Sequence, residues 1–275
     1  EQQGTDFIED PGNRDTSLDR NFLRHELMPV LEQRWPAAER ALAHSAGLFA
    51  RLSAQLDDEG SLALAGREPY PGVLDLGRLT DDPHALALVI RHWLRRRCAA
   101  PLPGARMQDL VRQLCSAAPD RNIHFEWKHQ RLDHAQNRLW LSSGVLQPCS
   151  AHSRWDDGII ELGESSGSLA IQPAALATGL RVAPRQGGET YRSAPGAPKK
   201  TLKNWFNDLR LPSWYRACVP LVFQEQRLLA VGDAIVDEEL ANTLAQQLGM
   251  LRWTPKDSML AWAWRECRQA RLQVK

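Results

Sequence analysis

Residues 181–223 read RVAPRQGGETYRSAPGAPKKTLKNWFNDLRLPSWYRACVPLVF. A short strand pattern at 180–183 leads into a Gly187-Gly188 turn, a basic loop, and a helix over 201–209 with Leu202, Trp205, Phe206 and Leu209 facing inward. Strands at 221–223 and 228–231 follow, joined across residues 224–226. Strands arranged around one helix predict a compact α+β domain. The stretch also holds Arg181, Arg185, Arg192, Lys199, Lys200, Lys203, Arg210 and Arg216 against only Glu189 and Asp208. On a chain whose formal net charge is +1, that is a local field, and fields of this sign attract phosphates.

Working outward, strand candidates at 159–162 and 169–171 place the start of this domain near residue 156, after a linker at 146–155, and its end near 236. Upstream the hydrophobic period is two: Ile123, Phe125 and Trp127 alternate with His124, Glu126 and Lys128, a second strand covers 138–142, and 128–137 has room for one more. Before the strands lie two helices. One is entered through Pro83 behind Asp81 or Asp82, with Leu86, Val89, Ile90, Trp93 and Leu94 inward and Arg91, Arg95, Arg96 and Arg97 loading its C-terminal half. The other, 106–116, sets Met107, Leu110, Val111 and Leu114 on one face. Helices finished by a small sheet predict an α+β unit over 37–145.

Residues 1–36 form a separate segment, with a helix from Asp19 that turns Phe22, Leu23, Leu27, Val30 and Leu31 inward and kinks at Pro29. A second helix runs from Pro36 to about Leu56, with Leu42, Phe49, Leu52 and Leu56 inward, and residues 57–60 end it, giving a helical hairpin. Residues 237–275 are a C-terminal extension: Leu240, Leu244 and Leu248 at helical spacing, a stop at Gly249, then a segment of either type holding Trp253, Trp262 and Trp264. The expected fold class is therefore α+β, mainly helical in the N-terminal and middle region, then a small sheet, then a compact α+β C-terminal domain.

The 275 residues are 43% hydrophobic and 24% charged, the balance of an ordinary globular protein with material for about two domains. No run of about 18 apolar residues occurs, so no spanning helix and no membrane partner is expected. The five cysteines are widely spaced with no Cys-x-x-Cys pair, which predicts free thiols in a reducing cytoplasm and no metal site. His124, His129 and His134, five apart, alternate faces of a strand and read as solvated histidines. Ser165-Ser166-Gly167-Ser168 lacks the Lys and the strand-to-helix context of a phosphate loop, so it reads as a turn, and there is no nucleophile elbow. The chain lacks an initiator Met and reads as part of a longer protein.

Two clusters carry candidate chemistry. Arg20 and Arg24 lie four apart on one helical face beside Glu9 and Asp10; they either grip a carboxylate or phosphate or fix the acidic turn in an internal ion-pair network. Lys199, Lys200 and Lys203 surround the N-terminus of the 201–209 helix, Gly187-Gly188 lets a backbone come close, and Trp214 offers a stacking face. The bland alternative is a solvated basic loop over a tryptophan core.

The run from Phe7 to Asp15 (FIEDPGNRD), then Arg20-Asn21-Phe22-Leu23-Arg24, Leu27 to Pro29 and Arg34-Trp35-Pro36, resembles the end of the catalytic domain of tRNA(Ile)-lysidine synthetases. Ile90-Arg91-x-Trp93-Leu94-Arg95 and the strands to Leu141 resemble that family's middle, substrate-binding domain. Gly187-Gly188-Glu189, Lys199-Lys200-x-Leu202-Lys203, Leu211-Pro212-x-Trp214 and Val219-Pro220-Leu221 resemble its C-terminal domain. Gly12 departs from the family's usual Ser.

The resemblance implies a cytoplasmic ATP-dependent carbon–nitrogen ligase. It adenylates C2 of the wobble cytidine in the CAU anticodon of tRNA(Ile) and lets lysine displace AMP, so that the tRNA changes identity from methionine to isoleucine. ATP with Mg²⁺ and lysine are then substrates of the full enzyme and none is bound by this chain alone, because the family's N-terminal ATP-pyrophosphatase domain, with its Ser-Gly-Gly-x-Asp-Ser loop, is a partner missing from these residues. Asp10, Arg20, Asn21 and Arg24 would edge the active site. Arg91, Arg95, Arg96, Arg181, Arg185, Gly187, Gly188, Arg192, Lys199, Lys200, Lys203, Trp214 and Arg216 would meet the tRNA. A homodimer is carried as a further partner, and a stand-alone, non-catalytic RNA-binding or adaptor module is the alternative function.

Overall fold

The computed structural model describes residues 15–98, 101–116, 123–152, 155, 157–191 and 198–273, with no side chains described for 271–273. Two compact units divide the chain after Ala63.

In the first unit, helix α1 (Asp19–Phe22) passes through a π-helical turn (Leu23–Leu27) into α2 (Met28–Arg34). The wide turn lies where Pro29 would oppose a normal helix: its ring crowds the carbonyl four residues back and it has no N–H to donate. Helix α3 (Ala38–Leu64) then runs unbroken for 27 residues. Two expectations fail here. Residues 57–60 do not end the helix, and the apolar residues expected to face inward are not buried: Phe22, Leu23, Leu27, Val30, Leu42, Phe49, Leu52 and Leu56 are all exposed, and Leu31 is half-buried. Helical periodicity shows that an apolar stripe exists, and an acidic Asp-Asp-Glu-Gly run costs a long helix little beyond the glycine's ~1 kcal/mol.

The second unit is α+β. Strands β1 (Val73–Asp75), β2 (Ile123–Trp127), β3 (Gln130–Ala135) and β4 (Arg138–Ser143) form an antiparallel sheet in the order β1-β4-β3-β2. Helices α4 (Pro83–Arg97) and α5 (Gly104–Ser116) precede β2. The Asp82 carboxylate caps α4 by accepting from the His84 and Ala85 N–H groups. The predicted inward faces of both helices are buried, and Trp93 and Ile90 are fully enclosed. His134 is buried rather than solvated; His124 sits opposite Asp133, with Nδ1 2.8 Å from its Oδ1. Among the described residues no three His, Cys, Asp or Glu side chains are grouped to hold a metal.

Strands β5 (Ile159–Glu161) and β6 (Ser168–Gln172), and then β7 (Leu180–Ala183), β8 (Thr190–Tyr191) and β9 (Lys200–Thr201), lead to helix α6 (Leu202–Asp208). After it come β10 (Leu221–Gln224), β11 (Arg227–Val231), β12 (Ile235–Val236), α7 (Glu238–Gln246), β13 (Met250–Thr254) and α8 (Ser258–Gln273). One sheet is ordered β12-β11-β10-β7 and a second β13-β6-β5, so β13 from the C-terminal extension is an edge strand on β6. Trp253, Leu260, Ala263, Trp264 and Cys267 of β13 and α8 are buried in the same core as Leu169, Val182, Phe206 and Leu221. That core also takes in Val73 and Trp140 from the β1–β4 sheet. All five cysteines are free thiols; burial pushes Cys149 and Cys267 up to about 12 and Cys218 to about 11.

Glu68 ties α4 to the loop before β1. Its carboxylate accepts from Trp93 Nε1 at 2.9 Å, from Arg97 Nε and Nη2 at 2.7 Å each, and from the Gly72 N–H at 3.0 Å. Burial alone would raise its pKa, but the donors, Arg97 first, outweigh burial and hold it below the ordinary glutamate value. A depressed folded pKa means stability that is complete above the unfolded value of about 4.3 and is lost as pH falls below it through the folded value. Urea unfolding of the native chain should therefore lose midpoint between about pH 4.3 and the folded pKa. Glu68→Gln should flatten that part of the profile. Glu68→Ala should cost about 1–3 kcal/mol at neutral pH, because it strands the buried Trp93 donor.

Candidate nucleic-acid interface

Strand pairing decides where the basic residues of 181–223 go. Strand β7 runs antiparallel to β10, with Arg181 opposite Phe223. The Arg181 guanidinium lies 4.2 Å from the Phe223 ring centroid and its Nε donates to the Glu225 carbonyl, leaving the side chain at the surface. Gly187 and Gly188 take φ of +102° and +83°, with open space around the position of a Cβ, so conformation, not crowding, demands glycine there. Glu189 folds back on this turn: Oε1 accepts the N–H groups of Gln186 and Gly187, and Oε2 lies 3.5 Å from Arg185 Nε. Burial pushes the Glu189 carboxyl up, yet the backbone donors and Arg185 bring it below the ordinary value, so Arg185 faces an ionised partner.

Other cations are also engaged. Lys200 pairs with Asp208. Arg216, half-buried, donates Nε and Nη2 to the Leu211 carbonyl at 3.0 and 2.9 Å and Nη2 to Asn207 Oδ1 at 2.8 Å, pinning the chain after α6. Burial, then the charge of Arg185, lowers its pKa. Trp214 meets Trp140 edge-on at 6.0 Å and tilts against Tyr215, so protein rings occupy much of its stacking surface. Lys199, Lys203 and Arg210 make no ion pair among the described residues. Lys199 faces a cleft of ≈ 800 Å³ whose other walls include Arg227, Asp237, Glu238 and Glu239.

Lys203 and Arg210 belong to a different cleft, of ≈ 640 Å³, lined by Gln136, Asn137, Lys203, Asn207, Arg210, Ser213 and Arg216 among others. Its wall holds three cations, three amides and a hydroxyl, and no carboxylate. The local structure explains the arrangement. Gln136 and Asn137, at φ +56° and +61°, form the two-residue turn between β3 and β4, the left-handed pair that a tight hairpin favours. Asn137 Nδ2 anchors the turn on the Gly77 carbonyl. Arg210, at φ +55°, leaves the C-terminus of α6 in the same left-handed region. A second cleft of ≈ 350 Å³ shares Gln136, Asn137, Arg210 and Pro212 and adds Arg138, Trp140, Trp262 and Glu266.

Arg91, Arg95 and Arg96 are exposed on α4, with Arg91 at the apolar groove between α4 and α5, so Arg91 and Lys199 do not share a cleft. In the first unit Asn21 is buried with Nδ2 on the Asp15 carbonyl, which makes it a support for the start of α1, while Arg20 and Arg24 are exposed. Asp10 and Arg192 lie outside the described residues. The sequence reading missed Gln136, Asn137 and Asn207 and counted Arg210 only as charge; the signal available was a Gln-Asn pair between two strands.

Residues 74–140 match the family model described as the TilS substrate binding domain, and residues 180–253 match the TilS substrate C-terminal domain. The tRNA(Ile)-lysidine synthase of Xylella fastidiosa strain Temecula1 is 33% identical over 261 residues, covering 92% of this chain and 60% of that protein. The chain belongs to the tRNA(Ile)-lysidine synthase family. Tracts similar to the tRNA(Ile)-lysidine synthases of Pseudomonas putida (35% over 242 residues, 84% of this chain, 56% of the relative) and Xanthomonas campestris strain 8004 (32% over 258 residues, 90% and 58%) cover nearly the same ground. The chain thus spans about three fifths of the length of these curated tRNA(Ile)-lysidine synthases. Both matched tracts border the carboxylate-free cleft: Gln136 and Asn137 come from the first, Lys203, Asn207, Arg210 and Arg216 from the second.

Proposed function

We propose that residues 64–273 hold the tRNA substrate of a cytoplasmic tRNA(Ile)-lysidine synthase, with RNA phosphates seated in the cleft of Lys203 and Arg210. The supporting observation is that cleft: cations and neutral donors line it without a carboxylate, and the tracts matching both substrate-domain models border it. Lysine and arginine there supply charge, and the amides of Gln136, Asn137 and Asn207 supply donors and acceptors for phosphate or sugar oxygens. The exposed Arg91, Arg95 and Arg96 of α4 and Arg181 beside the Gly187-Gly188 turn extend the contact.

In this reading the role of the chain is to bind and orient. ATP with Mg²⁺ supplies the activation of C2 of the wobble cytidine, and lysine the attacking amine, on residues beyond this sequence, with Arg20 and Arg24 near that site. The chain by itself should therefore bind tRNA(Ile) with a CAU anticodon and yield no lysidine.

Titrating the chain with that tRNA at increasing salt tests the reading. The affinity should be measurable at low salt and fall on a log–log plot by about 0.7–0.9 per phosphate neutralised. Absence of binding at low salt, or binding indifferent to salt, would remove the proposal.

A further inference from the structure

Helix α8 lies outside both family-matched tracts, yet it touches each of them. Trp262 stacks on Tyr70 with ring centroids 5.3 Å apart, tilts against Trp140 at 5.6 Å, and carries the Arg138 guanidinium 5.6 Å from its ring. On the other side of the helix, Trp264 Nε1 donates to Asp233 Oδ1 at 2.8 Å, Arg268 pairs with Asp233 Oδ2 at 2.7 Å, and Leu260, Ala263 and Cys267 are buried in the C-terminal core. One helix thus carries contacts to residues 70–140 on Trp262 and contacts to residues 169–253 on its buried face.

The connection continues to the basic faces. Tyr70 lies in the loop that Glu68 fastens to Trp93 and Arg97 of α4, the helix that presents Arg91, Arg95 and Arg96. The buried face of α8 packs in the core with Leu202 and Phe206 of α6, the helix that presents Lys203.

We infer that Trp262 is a specificity-determining positioning residue: it completes the contact that Trp140 makes with Trp214 and Tyr215 at 6.0 and 5.9 Å and so clasps the two RNA-binding domains at one spacing, so that the chain selects a folded tRNA able to reach both faces over an isolated stem. The inference rests on the RNA-binding reading above and adds to it. Two faces on one rigid body bind a two-armed ligand with an effective concentration that a loose pair lacks, while either face alone binds a short stem equally well in both cases.

The test compares the native chain with Trp262→Ala and Trp262→Phe on intact tRNA and on its separated acceptor minihelix and anticodon stem-loop. Trp262→Ala should weaken intact tRNA by about tenfold or more and leave each separate stem within about twofold, and Trp262→Phe should restore most of the loss. Equal weakening of stems and intact tRNA, or no weakening of either, overturns the clasp. Hydrogen exchange reads the clasp without RNA: Trp262→Ala should raise exchange over residues 66–75 while α6 and β10–β11 keep their protection. Unchanged exchange, or loss of protection throughout, also overturns it. Failure of the native chain to bind any of the three RNAs would instead remove the RNA-binding reading, with the exchange result still deciding whether Trp262 joins the domains.

Discussion

Replacing Lys203 and Arg210 together by alanine should lower affinity for tRNA by roughly 10- to 100-fold at low salt and reduce the slope of log affinity against log salt by about 2, one for each phosphate no longer neutralised. Both side chains line a cleft without a carboxylate and neither makes an ion pair among the described residues; Arg210 also borders the smaller cleft that holds Asp75 and Glu266, so Lys203 carries the larger share of the uncancelled field. The same double substitution at Arg185 and Lys200 should behave differently. Lys200 is paired with Asp208 and Arg185 lies 3.5 Å from the ionised Glu189, so a carboxylate offsets each charge and replacing the pair should change the salt slope by less than about 1. Binding isotherms at several salt concentrations, with urea midpoints measured alongside, separate the two cases. If the Arg185/Lys200 pair lowered the slope by about 2 while Lys203/Arg210 left it unchanged, the phosphates would lie against a different surface.

That contrast also shows what the sequence could and could not reveal. The count of eight cations against two acids between Arg181 and Arg216 is a property of composition. It cannot tell which cations are neutralised, because that depends on side-chain geometry: Glu189 turns back onto Arg185 while its Oε1 accepts the N–H groups of Gln186 and Gly187. The other half of the cleft was invisible for a topological reason. Gln136 and Asn137 lie far upstream of Lys203 in the chain and meet it only because the β3–β4 turn projects toward α6.

The fold divides along the same line. Elements whose apolar residues pack within the same local unit were legible, such as α4, α5, the β2–β4 meander and the β10–β11 hairpin. The stripes on α1 to α3 have the periodicity of inward faces, and their residues are exposed. The tryptophan-rich tail had no readable type because its partner is remote: Trp253 belongs to a strand only through β6, whose Leu169 is its register partner, and Trp264 to a helix that closes the core.

Trp264→Ala should be among the most destabilising single substitutions in the second unit, at about 3–5 kcal/mol, the usual cost of removing a buried tryptophan. The indole is 3% exposed and meets Trp253 edge-on at 4.8 Å. It also covers Gly232 so closely that a Cβ added there would lie 2.5 Å from the ring, which leaves little freedom for the site to collapse and refill the cavity. Its N–H shares Asp233 with Arg268, and the Asp233 side chain is 3% exposed, so the substitution also takes a donor from a buried carboxylate. Trp264→Phe keeps most of the volume and loses the donor, so about 1–3 kcal/mol is expected. Arg268→Ala removes the other donor and should fall in the same range. Urea unfolding should show these losses as lower midpoints at an unchanged slope. A loss for Trp264→Ala below about 1 kcal/mol would mean that α8 can leave the core at little cost, and would remove the basis for placing α8 at the junction of the two family-matched tracts.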